Sequence, residues 1–420
     1  MDIKTRLTIL NFLQFFVWGA WLISLGGYMG ATFGPTEGDS IGLSIGRTYG
    51  SMGWASLFMP ALMGILADKY MNGERVLGLC HIIAGCIIFW AMRATNSQQM
   101  YWIIFATCCF YMPTIALNNS VSYSLLSKSG LDVQKTFTPI RVWGTVGFIA
   151  ALWITDLMGW KNSSNQFVFA SIALIATGIY SMSLPACTPS GSMAQKSILQ
   201  KLGLDAFVLF KQRKMILFFV FAMLLGAALQ ITNMFGDTFI RSFGSNIIYQ
   251  QNFWVKHSVI LISLSQISET LFILTIPFFL SRFGIKRVML YSMLAWVLRF
   301  GLFAIGNPGD GIFFLLLSMV VYGMAFDFFN ISGSLFVERE AEPKYRASAQ
   351  GLFMLASNGL GAIIGGEFAG RVVSYYTTGN ATNWVNTWYT FAGYALVIAV
   401  AFALLFKYKH VVNTLGNSNH

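Results

Sequence analysis

Hydrophobic stretches of about 20 residues recur from one end of this sequence to the other, each long enough to cross a bilayer as a helix. They lie near 7–30, 48–67, 76–94, 100–124, 139–158, 166–185, 215–235, 258–280, 288–306, 312–334, 348–372 and 387–406. Such repetition leaves few folds open. The bilayer core holds no water, so backbone polar groups must be satisfied within each helix or around a closed barrel. A barrel shows weakly alternating segments of about 10 residues, whereas these runs are continuously apolar. The sequence therefore predicts an all-α integral membrane protein with 12 spans. Charged residues make up 10% of the chain and apolar residues 56%; soluble domains carry about 25% charged residues. That contrast excludes a soluble enzyme, a disordered chain and a secreted disulfide scaffold. The first span lacks a short apolar core followed by a small-residue cleavage site, so it reads as a retained helix.

Basic residues concentrate in alternate loops. With the N-terminus inside, nineteen of the 27 Lys and Arg fall on cytoplasmic segments, as the positive-inside rule requires. Seven lie outside or near outer helix ends, and Arg141 falls within the fifth span. Both termini are then cytoplasmic. The formal charge of +11 is accounted for by topology and calls for no nucleic acid. The long connection 187–214 separates six spans, in residues 1–186, from six more in 215–407, with 408–420 as a cytoplasmic tail. Within it, residues 203–211 read either as an amphipathic surface segment or as a plain linker.

A duplication supports this division. Gly64, Asp68 and Lys69, followed by Arg75, recur after the eighth span as a segment holding Arg282 and Lys286, offset by 213 residues. Tyr111 and Asn119 match Tyr322 and Asn330 at an offset of 211, and Arg141 matches Arg346 at 205. The first element resembles the loop between the second and third helices of the major facilitator superfamily. The expected fold is therefore the major facilitator fold, two pseudo-symmetric six-helix halves. The basic residues of Gly64, Asp68, Lys69, Arg75, Arg282 and Lys286 are expected to reach carbonyls or acids of the opposite half and latch an inner gate. A tight turn with a positive-inside bias is the plainer alternative.

Among sixteen acidic residues, Glu269 and Asp327 fall in the middle of apolar spans. A carboxylate there costs roughly 2.5–3.5 kcal/mol on insertion scales, so it faces a cavity or a partner. The two are candidates for proton binding or substrate contact, or for a structural ion pair. Further polar residues fall at helical spacing: Gln230 with Asn233, Gln266 with Glu269, Arg141 with Thr145 and Phe148, and Tyr322 with Phe326 beside Asp327. Gln, Asn, Arg and Glu together offer donors and acceptors to a neutral polyhydroxyl ligand. Phe148 and Phe326 are suited to stacking on a flat ring, or to packing. Gln14, Trp18, Trp21, Asn118 and Asn119 are weaker pocket candidates, as fit for helix packing as for a ligand.

The sequence holds no HExxH, phosphate-binding loop, nucleophile elbow or Cys/His ligand set, so no enzyme, cofactor or metal is expected. The five cysteines form no CxxC pair and read as reduced. Ion-coupled or passive transport remains. A symporter for a sugar-like solute, a drug exporter and a sensor built on a carrier scaffold are the alternatives.

Longer stretches carry a more specific likeness. FLQFFVWGAWL (12–22), YMPTIAL (111–117), IRVWGTVGF (140–148), LQITNMFG (229–236), SQISETLFILTIPFFLSRFGIK (265–286), YGMAFDFFNISGS (322–334) and RASAQG (346–351) resemble the nucleoside:proton symporter family. The connection at about 31–47, with Glu37, Asp39 and Arg47, is longer than the family pattern, and NNSVSYS (118–124) is similar to its xanthosine-transporting branch. The resemblance implies proton-coupled nucleoside import across a bacterial inner membrane by a monomer, with the nucleoside, the proton and the bilayer as partners. It places the nucleoside at Arg141, Thr145, Phe148, Gln230, Asn233, Gln266, Glu269, Tyr322 and Phe326. Asp327 matches a family acid that matters for transport, so the coupled proton falls to Asp327 or Glu269.

Overall fold

The computed structural model describes residues 1–35, 39–189, 204–379 and 381–408. Glu37, residues 190–203 of the 187–214 connection and the end of the tail therefore lie outside the described residues. The expected apolar runs are helical. The first span comprises α1 (Ile3–Gly19) and α2 (Leu22–Thr32), interrupted at Ala20 and Trp21. There follow α3 (Ile41–Lys69), α4 (Gly73–Phe89), α5 (Ser97–Lys128), α6 (Val133–Leu157) and α7 (Asn165–Met182). Next come α8 (Arg213–Ser242), α9 (Ser258–Ile273), α10 (Ile276–Ile305) and α11 (Ile312–Glu340). The chain continues through α12 (Arg346–Met354), α13 (Gly361–Tyr375) and α14 (Trp384–Leu405). Side-chain oxygens of Asp2, Ser40, Asn96, Asp132 and Asn383 accept first-turn N–H groups, as N-caps do.

Among the described residues, 11 helices are long and apolar enough to cross a membrane, and the 16-residue α9 is a shorter apolar helix. Two boundaries differ from expectation. The expected eighth span, 258–280, is broken after Ile273, and α10 runs on through Gly284 at φ 76°. That backbone conformation is open to glycine and strained for other residues, so the turn between the eighth and ninth spans is made there.

The pairing of helices repeats. In the first half α1 packs on α6, α3 on α5, and α4 on both α7 and α5. In the second α8 packs on α13, α9 on α11, and α10 on both α14 and α11. Counted as spans, each pair of the second list is a pair of the first advanced by six. Contacts between the halves run α3 to α13, α6 to α9 and α2 to α8, and the same shift maps the first two onto each other. Two of the residue matches read from the sequence, Tyr111 with Tyr322 and Asn119 with Asn330, lie on the equivalent helices α5 and α11. The third does not hold in depth: Arg141 is well inside α6, while Arg346 opens α12 and pairs with Glu338 at 3.1 Å.

Large apolar side chains such as Phe58, Leu62, Ile172, Phe313, Val397 and Leu404 are exposed around the bundle, the surface a bilayer would cover. The halves touch along one end. Gly46 of α3 and Gly366 of α13 are so close that a Cβ on either would collide with the other's carbonyl, and a Cβ on Gly53 would collide with the Gly359 carbonyl. Toward the end bearing the termini α3 and α12 stand apart, and a Cβ at Gly64 or Gly351 would have nothing within 4 Å. The bundle is closed on the side away from the termini.

Candidate functional site

Near the middle of the bundle, three ionisable side chains from three helices converge. Arg141 of α6 lies within electrostatic reach of Glu269 of α9, and Glu269 within reach of Asp327 of α11. Because α6 and α9 meet across the boundary between halves, Arg141 and Glu269 face each other across the path that opens. The Arg141 guanidinium lies 3.9 Å from the centroid of the Phe15 ring, a cation–π contact that holds it to the first span. Asp327 is buried, and its Oδ2, like Oε1 of Gln266, has no hydrogen-bond partner among the described residues. Buried polar atoms are nearly always paired, so these two have hydrogen-bonding capacity to spare.

Rings flank this cluster. Tyr322 and Phe326 stack nearly parallel, with centroids 5.9 Å apart and planes 6° from each other. Gln230 and Asn233 of α8 are neighbours, the Asn233 amide donating to Gln230 Oε1 at 3.4 Å. Leu229, beside Gln230, lines a small cavity of about 20 Å³ with Phe326, Trp296, Asn330 and Asn358. Thr145 and Phe148 are half-buried on α6, and Phe148 packs against the core, its carbonyl crowding Gly19 of α1. Arg141, Gln266, Glu269, Tyr322, Phe326 and Asp327 are thus gathered around one region. Gln230 and Asn233 lie on α8, Gln230 next to Leu229 of the cavity wall.

The weaker candidates pack. Gln14 donates to Thr114 Oγ1 at 2.8 Å and accepts, at its backbone carbonyl, from Tyr111 Oη at 2.7 Å. Asn118 donates to Asn11 Oδ1 at 3.0 Å. These are interhelical hydrogen bonds of the kind that join helices in membranes. Sequence reasoning misplaced Arg299, counting it among the basic residues near outer helix ends. It is 0% exposed, donates to the Ser318 carbonyl at 2.7 Å and lies 4.5 Å from the Tyr322 ring centroid. It therefore props Tyr322 from behind; its position six residues from the end of α10 concealed it.

Four of the six expected gate residues find partners in their own halves. Lys69 lies over the Tyr70 ring at 4.9 Å, Arg282 over Phe283 at 6.0 Å, and Lys286 donates to the Ala403 carbonyl at 3.2 Å. Arg75 stands 4.0 Å from Glu74, Asp68 also has partners, and Gly64 borders open space. In this conformation the polar contacts between the halves lie at the opposite end. Lys161 forms a buried ion pair with Asp156 and donates to the Lys256 carbonyl at 2.5 Å and Ser258 Oγ at 3.1 Å. His257 Nδ1 is 3.2 Å from Asp156. Arg241 pairs with Asp237 at 2.6 Å and donates to Asn162 at 2.7 Å. Farther round, Arg47 meets Glu367 at 3.1 Å, and the hydroxyls of Ser40 and Ser374 touch. The five cysteines are free, and no metal-ligating group of three or more exists among the described residues.

Comparison with known proteins converges on one family. The sequence model described as "Nucleoside H+ symporter" matches residues 1–411. The nucleoside permease NupG of Escherichia coli (strain K12) is 49% identical over 412 residues, covering 98% of this chain and 97% of that protein. The xanthosine permease of the same organism is 50% identical over 411 residues, covering 98% and 97%. A crystal structure of the nucleoside transporter NupG superposes with a TM-score of 0.90, covering 97% of this chain and 100% of that one. The POT family transporter PepTSo, at 12% identity and a TM-score of 0.71 over 96% of this chain and 97% of that one, shares the fold.

Proposed function

The chain belongs to the nucleoside H+ symporter family, and from that premise we propose that its central cluster binds a nucleoside and a proton together and carries both inward by alternating access. The observation carrying this reading is the meeting of Arg141, Glu269 and Asp327 from helices on both sides of the half boundary. Gln230, Asn233, Gln266 and Glu269 hydrogen-bond ribose hydroxyls. Phe148, Tyr322 and Phe326 hold the base, and Arg141 with Thr145 completes the polar contacts. A proton on Asp327 or Glu269 relieves the repulsion between the two acids and lets the loaded carrier reorient.

The halves rock about this site, as in other carriers built from repeats. Basic loops put both termini in the cytoplasm of a bacterium, so this conformation is closed to the outside and open inward. Lys69, Arg75, Arg282 and Lys286 then engage the opposite half when the inner side closes. One charge moving down 100 mV supplies about 2.3 kcal/mol, which supports roughly fiftyfold accumulation. One pathway runs through one chain, so the working unit is a monomer.

The test is labelled uridine uptake by cells that express this chain and lack other nucleoside carriers, with and without a proton ionophore. Concentrative uptake abolished by the ionophore is expected. Uptake of xanthosine in place of uridine points to a narrower substrate. Failure of a whole nucleoside panel, with the protein present in the membrane, removes the substrate assignment.

A further inference from the structure

We propose that the eleventh span completes the nucleoside site with a base-reading wall: Asn358 and Asn330 together hydrogen-bond the polar edge of the base and set which nucleobases are accepted. The proposal rests on the nucleoside reading above and adds two residues to it.

The backbone makes the first argument. Between α12 and α13, residues Leu355–Leu360 are π-helical. A π-helical turn holds an extra residue, is rare, and is frequently found at functional sites. It is wedged from one side by α8: a Cβ on Gly226 would strike the Ser357 carbonyl, and one on Gly361 would stand 2.8 Å from the Met223 carbonyl. Asn358, next to Ser357, is exposed and lines the cavity that Phe326 also lines.

Hydrogen bonding makes the second. Apart from a 3.9 Å contact between Asn358 and the Met354 sulfur, neither Asn330 nor Asn358 has a side-chain partner among the described residues. Each carboxamide offers two donors and an acceptor. A pair of them matches a heterocycle edge that carries both carbonyl and N–H groups. Tyr322, Phe326 and Asn330 follow one another at four-residue spacing along α11, so they share a face. A base lying against Phe326 meets Asn330 one turn farther toward the termini, while Trp296 and Leu229 supply apolar cover.

Pseudo-symmetry makes the third. The pairs α1–α6 and α8–α13 are equivalent, and each has a glycine pressed on the partner's backbone, Gly147 on Phe12 and Gly361 on Met223. Counting back from these glycines, the stretch of α6 bearing Arg141 and Thr145 corresponds to Leu355–Gly359. At that offset Arg141 and Thr145 correspond to Leu355 and Gly359, so Asn358 lies within the equivalent stretch without replacing either residue, and it lines the cavity from there.

The experiment compares wild type with Asn330→Leu and Asn358→Leu, which keep side-chain size and remove the amide. In each, labelled uridine uptake is competed by uridine, cytidine, adenosine, inosine and xanthosine, and by 2′-deoxyuridine as a ribose probe. Half-inhibitory concentrations are ranked within each variant, so the amount of protein cancels. The expected result is a change of roughly fivefold or more in the ratios between bases, with the uridine to 2′-deoxyuridine ratio held within about twofold. A base ranking identical to wild type, or a uniform loss across bases and ribose probe alike, overturns the proposal. If a Leu variant fails to reach the membrane, Asn330→Ser or Asn358→Ser is scored by the same ratios and the same criterion. Absence of any nucleoside uptake by wild type would instead sink the functional reading, so the two failures are distinguishable.

Discussion

An ionised carboxylate at the centre of a spanning helix is costly enough that a chain keeps one for a reason, and this chain keeps two within electrostatic reach of each other. Their surroundings separate their roles. Glu269 faces Arg141 across the half boundary and shares its helix face with Gln266, and in the proposed function it is the acid that touches substrate. Asp327 is more enclosed, with one carboxylate oxygen unpartnered. Asp327→Asn is expected to abolish ionophore-sensitive accumulation while sparing exchange of labelled for unlabelled nucleoside across the membrane. Accumulation at the wild-type level would remove Asp327 from coupling. Glu269→Gln keeps shape and loses charge; it should raise the KM for uridine by roughly tenfold, the loss of about 1.4 kcal/mol that one charge-assisted hydrogen bond represents. An unchanged KM would place Glu269 outside the substrate contacts. Arg141, Glu269 and Asp327 were legible because a charge inside a long apolar run has few explanations. Arg299 was not, because near a helix end a basic residue also fits the outer surface, and burial is decided by neighbouring helices. Asn358 was not, because an asparagine in a glycine-rich run gives no periodic signal, and π-helical winding leaves none in hydropathy.

Helix existence follows from hydropathy alone, since an apolar run in lipid must satisfy its own backbone. Where a helix breaks follows from packing, which is why the interruptions at Ala20–Trp21 and after Ile273 were not expected. The close approach of α3 and α13 is a case where a local signal was present and unread. Gly42, Gly46 and Gly50 recur at four-residue spacing, the small-residue pattern that lets membrane helices touch backbone to backbone. The three are not equivalent. A Cβ at Gly46 would collide with Gly366, whereas one at Gly50 would rest 3.6 Å from Ile363, an ordinary contact. Gly46→Ala should therefore prevent closure of this face and cut uptake roughly tenfold, the consequence of an overpacking cost of about 1–3 kcal/mol. Gly50→Ala should leave uptake within about twofold of wild type. Equal behaviour of the two variants, at equal membrane abundance, would mean that the α3–α13 contact does not control transport.

At the scale of the whole molecule, the pairing of spans repeats under a shift of six, and a carrier with this symmetry can open at either end about a central site. In this conformation the described contacts joining the halves gather on the side away from the termini: Gly46 on Gly366, Arg47 on Glu367, Ser40 on Ser374, and Lys161 on Ser258 and the Lys256 carbonyl. Lys161 and Asp156 are buried together, and a buried pair is weak evidence for stability but a demanding one for geometry. Such a network specifies a closed face while remaining separable. If transport requires that face to open, tying it shut must stop the cycle. The hydroxyls of Ser40 and Ser374 touch, so cysteines at these positions would bring two sulfurs together, as a disulfide requires, and the five native cysteines are not at this contact. Ser40→Cys with Ser374→Cys should lose uptake on oxidation and regain it with dithiothreitol, while either single variant is indifferent to both. Substrate binding measured from the terminus side should survive the cross-link, because the central site stays open to that side. Undiminished uptake with the cross-link fully formed would mean that α3 and α13 do not part during transport, and that the cycle is carried by a movement other than the rocking of two halves.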